Sequence, residues 1–279
     1  MVDMEAVQHR IVIEAGRAEK QYWRDLWRYR ELLYFLSWRD ILVRYKQTVV
    51  GVAWSLIRPL LTMVVFTVVF GKLAKMPSEG VPYPLLVMAG MLPWQFFATA
   101  LSESGNSLVN NTGLITKVYF PRMVVPASSV ITSLVDFVIS CAFLGLLFVW
   151  FRFSPGIQLV ALPLFALLAF GASCGAGLWI AALMALYRDF RFIVPFVVQF
   201  GLYLSPVGFS SSIVPGHWRL LYSLNPMVGI IDGFRWSLLQ ANPPLDWTSL
   251  GMSIVSTGLL LASGIWYFRR TERTLADVI

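Results

Sequence analysis

The chain has 279 residues, 57% of them hydrophobic and only 13% charged, with a formal net charge of +7. That charge content, about half that of an ordinary soluble domain, cannot coat a water-facing surface, so the bilayer must be the solvent for much of the chain. The basic excess admits a nucleic-acid or a membrane-surface partner, and the positions of the charges decide between them.

The first forty residues are charged and lack a short apolar core followed by a small-residue cleavage site, so the chain does not start like a secretory signal peptide. Leu26, Tyr29, Leu33 and Leu36 form an apolar stripe opposite Arg24, Arg28 and Glu31. Trp38, Ile41, Leu42, Tyr45 and Val49 form a second stripe, with Arg39, Asp40, Arg44 and Lys46 on other faces, and Ser37 is expected to break the two helices apart. Apolar on one face and basic on the other is the pattern of a helix lying in the membrane interface. Periodicity is equally consistent with a passive anchor and with a mechanical element against which a cytoplasmic partner pushes.

Apolar runs long enough to cross a bilayer occur at 49–72, 83–102, 124–150, 157–186, 192–212 and 248–268. Pro195 and Pro206 interrupt the fifth, which neighbouring helices can tolerate. Sixteen Lys and Arg then fall on the side of the termini and five on the other (Lys72, Lys75, Arg152, Arg219 and Arg235), with Arg58 inside a span. The excess makes the termini cytoplasmic and turns the basic balance into a topology signal, so a nucleic-acid partner loses its main support. The expected architecture is an all-α integral membrane protein. It has a cytoplasmic segment with an amphipathic interface helix (1–47), a six-span domain (48–270) and a short cytoplasmic tail (271–279).

Arg58 lies nine residues beyond Val49, roughly 13 Å along the first span. A charge that deep must snorkel to the interface or face a polar path or subunit contact, and Pro59 beside it fits a helix start or kink. Asp136 is the only acid deep in a span and reads as a hydrogen-bonded structural group in preference to a proton carrier. The cytoplasmic connection 103–123 has turn formers Asn110, Asn111 and Gly113, with room for a short helix over 107–117. It is either a docking element or an ordinary connection.

Cys141 and Cys174 lie in apolar runs without metal-ligand spacing and read as small packing residues. Gly171 and Gly175 form a G-x-x-x-G pair suited to close helix packing inside the bundle. In the fifth span Phe192, Phe196, Phe200 and Tyr203 make an aromatic stripe. It faces lipid and packed helices, or lines a conduit to which Trp54, Phe66, Phe70, Phe96 and Phe97 add rings. The outer segment 210–247 is too long for a turn and too apolar for a solvated loop. Its helical stretches 218–224 and 227–239, split by Asn225-Pro226, are expected to dip in and return, with Trp218, Asn225, Pro226 and Phe234 at an outer gate.

No P-loop, H-E-x-x-H, C-x-x-C or G-x-S-x-G occurs, and His9 and His217 lie at opposite ends of the topology. No cluster of polar catalytic residues suits a membrane-embedded transferase. The chain is therefore expected to be no enzyme and to bind no cofactor itself.

Three stretches carry a resemblance. "RDILVRYKQTVVGVAWSLIRPLLTMVVFTVVFG", "SLVNNTGLITKVYFPRMVVP", and "YRDFRFIVPFVVQFGLYLSPVGFSSSIVP" with "LNPMVGIIDGFRW" resemble the interface helix and first span, the coupling loop, and the fifth span with re-entrant helices of the membrane subunit of type-2 ABC exporters, in the polysaccharide group. The stretches together cover most of 30–245. Arg58 departs from the family pattern, in which an uncharged polar residue more often precedes the proline. The resemblance implies a bacterial inner-membrane permease, paired with a second copy and with two ATPase subunits that carry ATP and Mg. It also implies a lipid-pyrophosphate-linked, O-antigen-like polysaccharide as substrate. Arg39, Asp40, Asn111, Leu114, Lys117, Arg188 and Asp189 would couple to the ATPase. Trp54, Phe66, Phe70, Phe196, Phe200 and Tyr203 would line the channel, and Arg44, Lys46 and Arg58 would meet the lipid head or interface. An exporter of small lipids or drugs and a proton-driven flippase are the rival functions.

Overall fold

The computed structural model describes residues 19–46, 49–240, 244–272 and 274, with backbone alone for 19–21 and 49–55. All regular structure among them is helical: α1 (Glu19–Arg28), α2 (Arg30–Lys46), α3 (Val49–Phe66), α4 (Tyr83–Asn110), α5 (Thr112–Ile115), α6 (Val124–Trp150), α7 (Leu162–Leu186), α8 (Phe190–Leu204), α9 (Gly216–Tyr222), α10 (Pro226–Leu239) and α11 (Trp247–Glu272). A π-helical stretch, Thr67–Leu73, continues α3, and a 3-10 turn, Ile157–Ala161, leads into α7.

Local chemistry explains most of the ends. Pro84 and Pro163 sit in the first turns of α4 and α7, where a missing N–H leaves no bond unmade. Asn225 caps α10 by accepting from the Met227 N–H at 3.0 Å, and Pro226 follows at the first helical position. Asp246 caps α11, its Oδ1 accepting from the Thr248 N–H at 3.0 Å, and Arg269 and Arg270 complement the dipole in the last turn.

Among the described residues, five segments are long and apolar enough to cross a membrane: Leu56–Leu73, Tyr83–Asn110, Val124–Trp150, Ile157–Leu186 and Trp247–Glu272. The expected fifth span, 192–212, contains only the 15-residue α8, about 22 Å long against a hydrocarbon core of about 30 Å. The helix stops where Ser205 turns extended ahead of Pro206. One expectation is corrected near the N-terminus. Ser37 does not break the helix, because its hydroxyl folds back onto the Leu33 carbonyl at 2.8 Å and α2 runs through it. The junction lies about two turns upstream, at Tyr29. The two helical stretches before the last span occur as expected, as α9 and α10.

α4 is the hub. Of its most apolar window 78% is buried, against 17–33% for the other four candidate spans. The main core gathers Leu85, Leu86, Val87 and Met88 of α4 with Phe137, Phe165, Ile230, Ile231 and Phe234. The G-x-x-x-G reading is met at the α7–α11 crossing. A Cβ on Gly264 would stand 2.4 Å from the Gly175 carbonyl oxygen, so the two backbones touch.

A second core closes the end of the bundle that bears α1 and α2. Leu36 joins Leu108, Ile115, Phe120, Met123, Leu178, Ala181 and Phe268, with Tyr22, Leu26, Tyr29 and Leu33 packed against it. The upstream stripe of the N-terminal segment thus lies on the ends of α4, α6, α7 and α11. The opposite face keeps Trp27, Tyr34, Phe35, Trp38 and Val43 exposed. The phenol of Tyr22 donates to Glu272 at 2.8 Å, so the first and last described helices meet at one end.

Candidate functional site

Two polar assemblies stand out against the apolar bundle, one at each end. At the α1–α2 end, Arg39 donates through Nη2 to Asp40 and to the Asn111 amide oxygen, both at 2.8 Å. Asn111 is the C-terminal cap of α4, its side-chain amide nitrogen donating to the Ser107 carbonyl at 2.9 Å. Three of the residues expected to couple to a partner, Arg39, Asp40 and Asn111, therefore form one contact between α2 and the α4–α5 corner. Leu114 packs into the core beneath that corner. Lys117, Arg188 and Asp189 stay exposed at the same end. Tyr119 and Tyr187, 65% and 56% exposed, lie next to them in sequence and make that surface partly aromatic.

One and a half turns beyond Arg39, Arg44 reaches back into the bundle. It donates through Nη1 to Asp136 of α6 and through Nη2 to Glu103 of α4, the latter at 2.7 Å. The Tyr45 phenol donates to the other Asp136 oxygen. The expectation of a hydrogen-bonded Asp136 thus has partners, one α2 turn answering both carboxylates.

These groups wall a cavity of about 240 Å³ lined further by Arg58, Pro59, Leu92, Gln95, Phe96, Thr99, Ser133, Phe137 and Ser140. Arg58 therefore borders a polar hollow among α2, α3, α4 and α6, its guanidinium exposed and without a hydrogen-bonded or ionic partner among the described residues. Lys46 ends α2, exposed.

At the far end, Arg235 of α10 is 3% exposed. Its guanidinium donates to the carbonyls of Val207 at 2.8 Å, Phe209 at 2.7 Å and Leu86 at 3.3 Å. The irregular segment after α8 is thereby held to α4 and α10 at once. The Tyr83 phenol adds a bond to the Gly208 carbonyl at 2.5 Å. Glu79, accepting from Ser210, borders a small hollow with Asp232, Arg219 and Asp246. Arg219 pairs with Asp246 at 3.1 Å. Burial opposes charge on Asp246, but the Ser249 hydroxyl, the Thr248 and Ser249 N–H groups and Arg219 outweigh it and hold the carboxyl below its usual range.

The expected gate residues divide. Asn225 caps α10 and also donates to the Ser205 hydroxyl at 3.0 Å, beside Pro226. Trp218 is 55% exposed on α9, whereas Phe234 is fully buried, edge-on to Phe137 at 5.9 Å. The expected channel aromatics divide likewise. Phe196, Phe200 and Tyr203 are more than half exposed along α8, with Phe196 and Phe200 4.5 Å apart. Phe66 is buried, edge-on to Phe70 at 5.3 Å and 6.2 Å from Tyr203. The Trp54 side chain lies outside the described residues.

Sequence reasoning missed the role of Arg235, which it counted as an outer-loop charge, and of Glu103. An arginine inside "VGIIDGFRWSLL" was the available signal, since an isolated guanidinium in an apolar helix needs acceptors.

A sequence profile of the family described as ABC-2 type transporter matches residues 31–239. The chain is 28% identical over 253 residues to an O-antigen export system permease protein RfbA of Myxococcus xanthus, covering 89% of this chain and 96% of that one. It is 25% identical to an RfbA of Klebsiella pneumoniae, over 89% and 95% of the two chains. To the polysialic acid transport protein KpsM of Escherichia coli it is 22% identical, over 85% and 92%.

Proposed function

The chain belongs to the ABC-2 type transporter family, and on that premise we propose that it is the transmembrane subunit of a polysaccharide exporter, coupled to a separate ATPase and acting on a lipid-pyrophosphate-linked, O-antigen-like glycan. The observation that carries this is the near full-length similarity to an O-antigen export system permease and to a polysialic acid transport protein. The chain works in the bacterial inner membrane as a pair, with both termini cytoplasmic. The meeting of Tyr22 and Glu272 at one end agrees with an even number of passages. α8 together with the turn held by Arg235 makes the sixth passage, and α9 and α10 re-enter from outside.

In this reading each part has a task. The exposed surface at the α1–α2 end, with Lys117, Arg188 and Asp189, receives the ATPase. Arg39 links α2 to Asn111, so a push on the α4–α5 corner moves α2 with it. Arg44 and Tyr45 carry the displacement to Asp136 on α6 and Arg44 to Glu103 on α4. The aromatic face of α8 gives sugar rings an apolar surface along which they slide without deep binding. Arg235 and Asn225 hold the outer segment against α4 and α10 until the glycan passes.

The test is purification of the intact chain from its native membrane, identification of co-purifying proteins and an ATPase assay. The expected result is a stoichiometric P-loop ATPase whose hydrolysis changes on Asn111→Ala or Lys117→Glu. Absence of such a partner, under conditions that keep known membrane complexes whole, overturns it.

A further inference from the structure

The cavity at the α1–α2 end has an imbalance in its hydrogen-bonding capacity. Its carboxylates are answered: Asp136 by Arg44 and Tyr45, Glu103 by Arg44. Ser133 and Ser140 spend their protons on helix carbonyls, of Ser129 and Asp136, both at 2.9 Å. Uncommitted among the described residues are the five N–H groups of Arg58, the Thr99 hydroxyl proton and one amide proton of Gln95, whose other N–H donates weakly to Thr99 at 3.3 Å. Gln95 and Thr99 stand one helical turn apart on α4, facing the hollow that Arg58 borders from α3. Two guanidinium groups and two carboxylates leave the wall formally neutral, but of the four only Arg58 has no direct partner among the described residues.

We propose that this cavity is a binding site for a phosphate-ester anion, held by Arg58 in its fork and by Gln95 and Thr99 as neutral donors. A guanidinium matches two phosphate oxygens at once, and hydroxyl and amide donors complete the shell. A sugar hydroxyl would satisfy the neutral donors and leave the guanidinium charge unanswered in a membrane helix, where an unpaired charge is expensive. The hollow, about 240 Å³, has room for a phosphate or diphosphate group and the first atoms of what it carries. Arg44 stands behind it as a fixed positive group, already engaged. The anion is either the headgroup of an ordinary acidic phospholipid or the phosphate end of a carrier lipid. Only the second rests on the export function, and the site itself stands without it.

The test uses the full chain with Cys141→Ser, Cys174→Ser and Ser140→Cys, placing one thiol in the cavity wall. Its modification rate by a small methanethiosulfonate is followed in phosphatidylcholine vesicles alone, with added phosphatidylglycerol, or with added polyprenyl diphosphate. Protection by at least one phosphate lipid is expected, with Arg58→Gln raising the half-protecting dose about tenfold or more and Arg58→Lys recovering part of it. Protection by phosphatidylglycerol alone assigns the site to bulk headgroups, and by polyprenyl diphosphate alone to a carrier. Both uphold the site. Protection by neither, or equal protection in Arg58→Gln, overturns it. If Arg58→Gln does not match the parent in gel filtration, the pair Gln95→Leu and Thr99→Val decides, by a several-fold loss of protection or by none. The absence of a co-purifying ATPase would sink the export reading while leaving these outcomes intact.

Discussion

Arg44 and Asp136 lie 92 positions apart, and their contact ties α2 to the bundle. A double-mutant cycle with Arg44→Gln and Asp136→Asn measures that tie. The side chains are 27% and 21% exposed, so the pair is partly screened. Charge-assisted hydrogen bonds contribute about 1.5–3 kcal/mol, and partial exposure places this one near the lower end. Arg44→Gln leaves Glu103 without its cation and Asp136 with the Tyr45 phenol alone, and is expected to destabilise by about 2–3 kcal/mol, Asp136→Asn by about 2 kcal/mol. The double variant should lose about 1.5 kcal/mol less than the sum, because the second change removes a partner already idle. Unfolding of the purified chain in detergent, followed by intrinsic fluorescence, reads all four corners. Additivity within about 0.5 kcal/mol would refute the tie as an energetic link, and α2 would then have to be held by its apolar stripe alone.

Other outcomes follow from single contacts. Arg235→Met should destabilise the chain by about 3 kcal/mol or more and expose 205–210 to protease, since three carbonyls, two of them in buried contacts, lose their donor together; an unchanged digestion pattern would contradict the clamp. Gly264→Leu should abolish the α7–α11 contact, read as loss of folded protein on gel filtration, because its Cβ has no space beside the Gly175 carbonyl. Asp246→Ala should cost about 1 kcal/mol through the α11 cap. The Asp246 carboxyl is held below its ordinary range in the fold, so its contribution is complete above the unfolded value near 4 and fades as pH falls through the lower folded value. The gap between wild type and Asp246→Asn should therefore shrink on acidification below about pH 4, and a gap that widens would reverse the sign.

Hydropathy located the long helices well, because a bilayer-length run of Leu, Val and Phe has few alternatives. It overran at α8, where apolar Val207 and Phe209 belong to a turn and Ser205-Pro206 is the stop. The amphipathic pattern at 26–45 marked helices but not the surface each stripe meets. Leu36 turned out to bury on protein, while the face with Trp38 stays open. Ser37 misled because a serine that bonds its own helix is indistinguishable in sequence from one that caps the next. Asp136 was legible as a group needing a partner, yet Arg44 is not within any local window. Arg235 was the largest miss: charge counting treated it as solvent-facing, whereas its three acceptors exist only once α4 and the 205–210 turn have come together.

That arrangement also has a consequence for leakage. Among the described residues, the carbonyls of Val207 and Phe209 face no backbone N–H partner and rely on one guanidinium. Lifting the turn from Arg235 in a dry environment would leave them and the guanidinium unanswered, at several kcal/mol. The movement becomes cheap only if water arrives to replace the lost bonds. Displacement of this turn and hydration of the backbone beneath it are then a single event, and thermal fluctuation alone should rarely wet this end of the bundle.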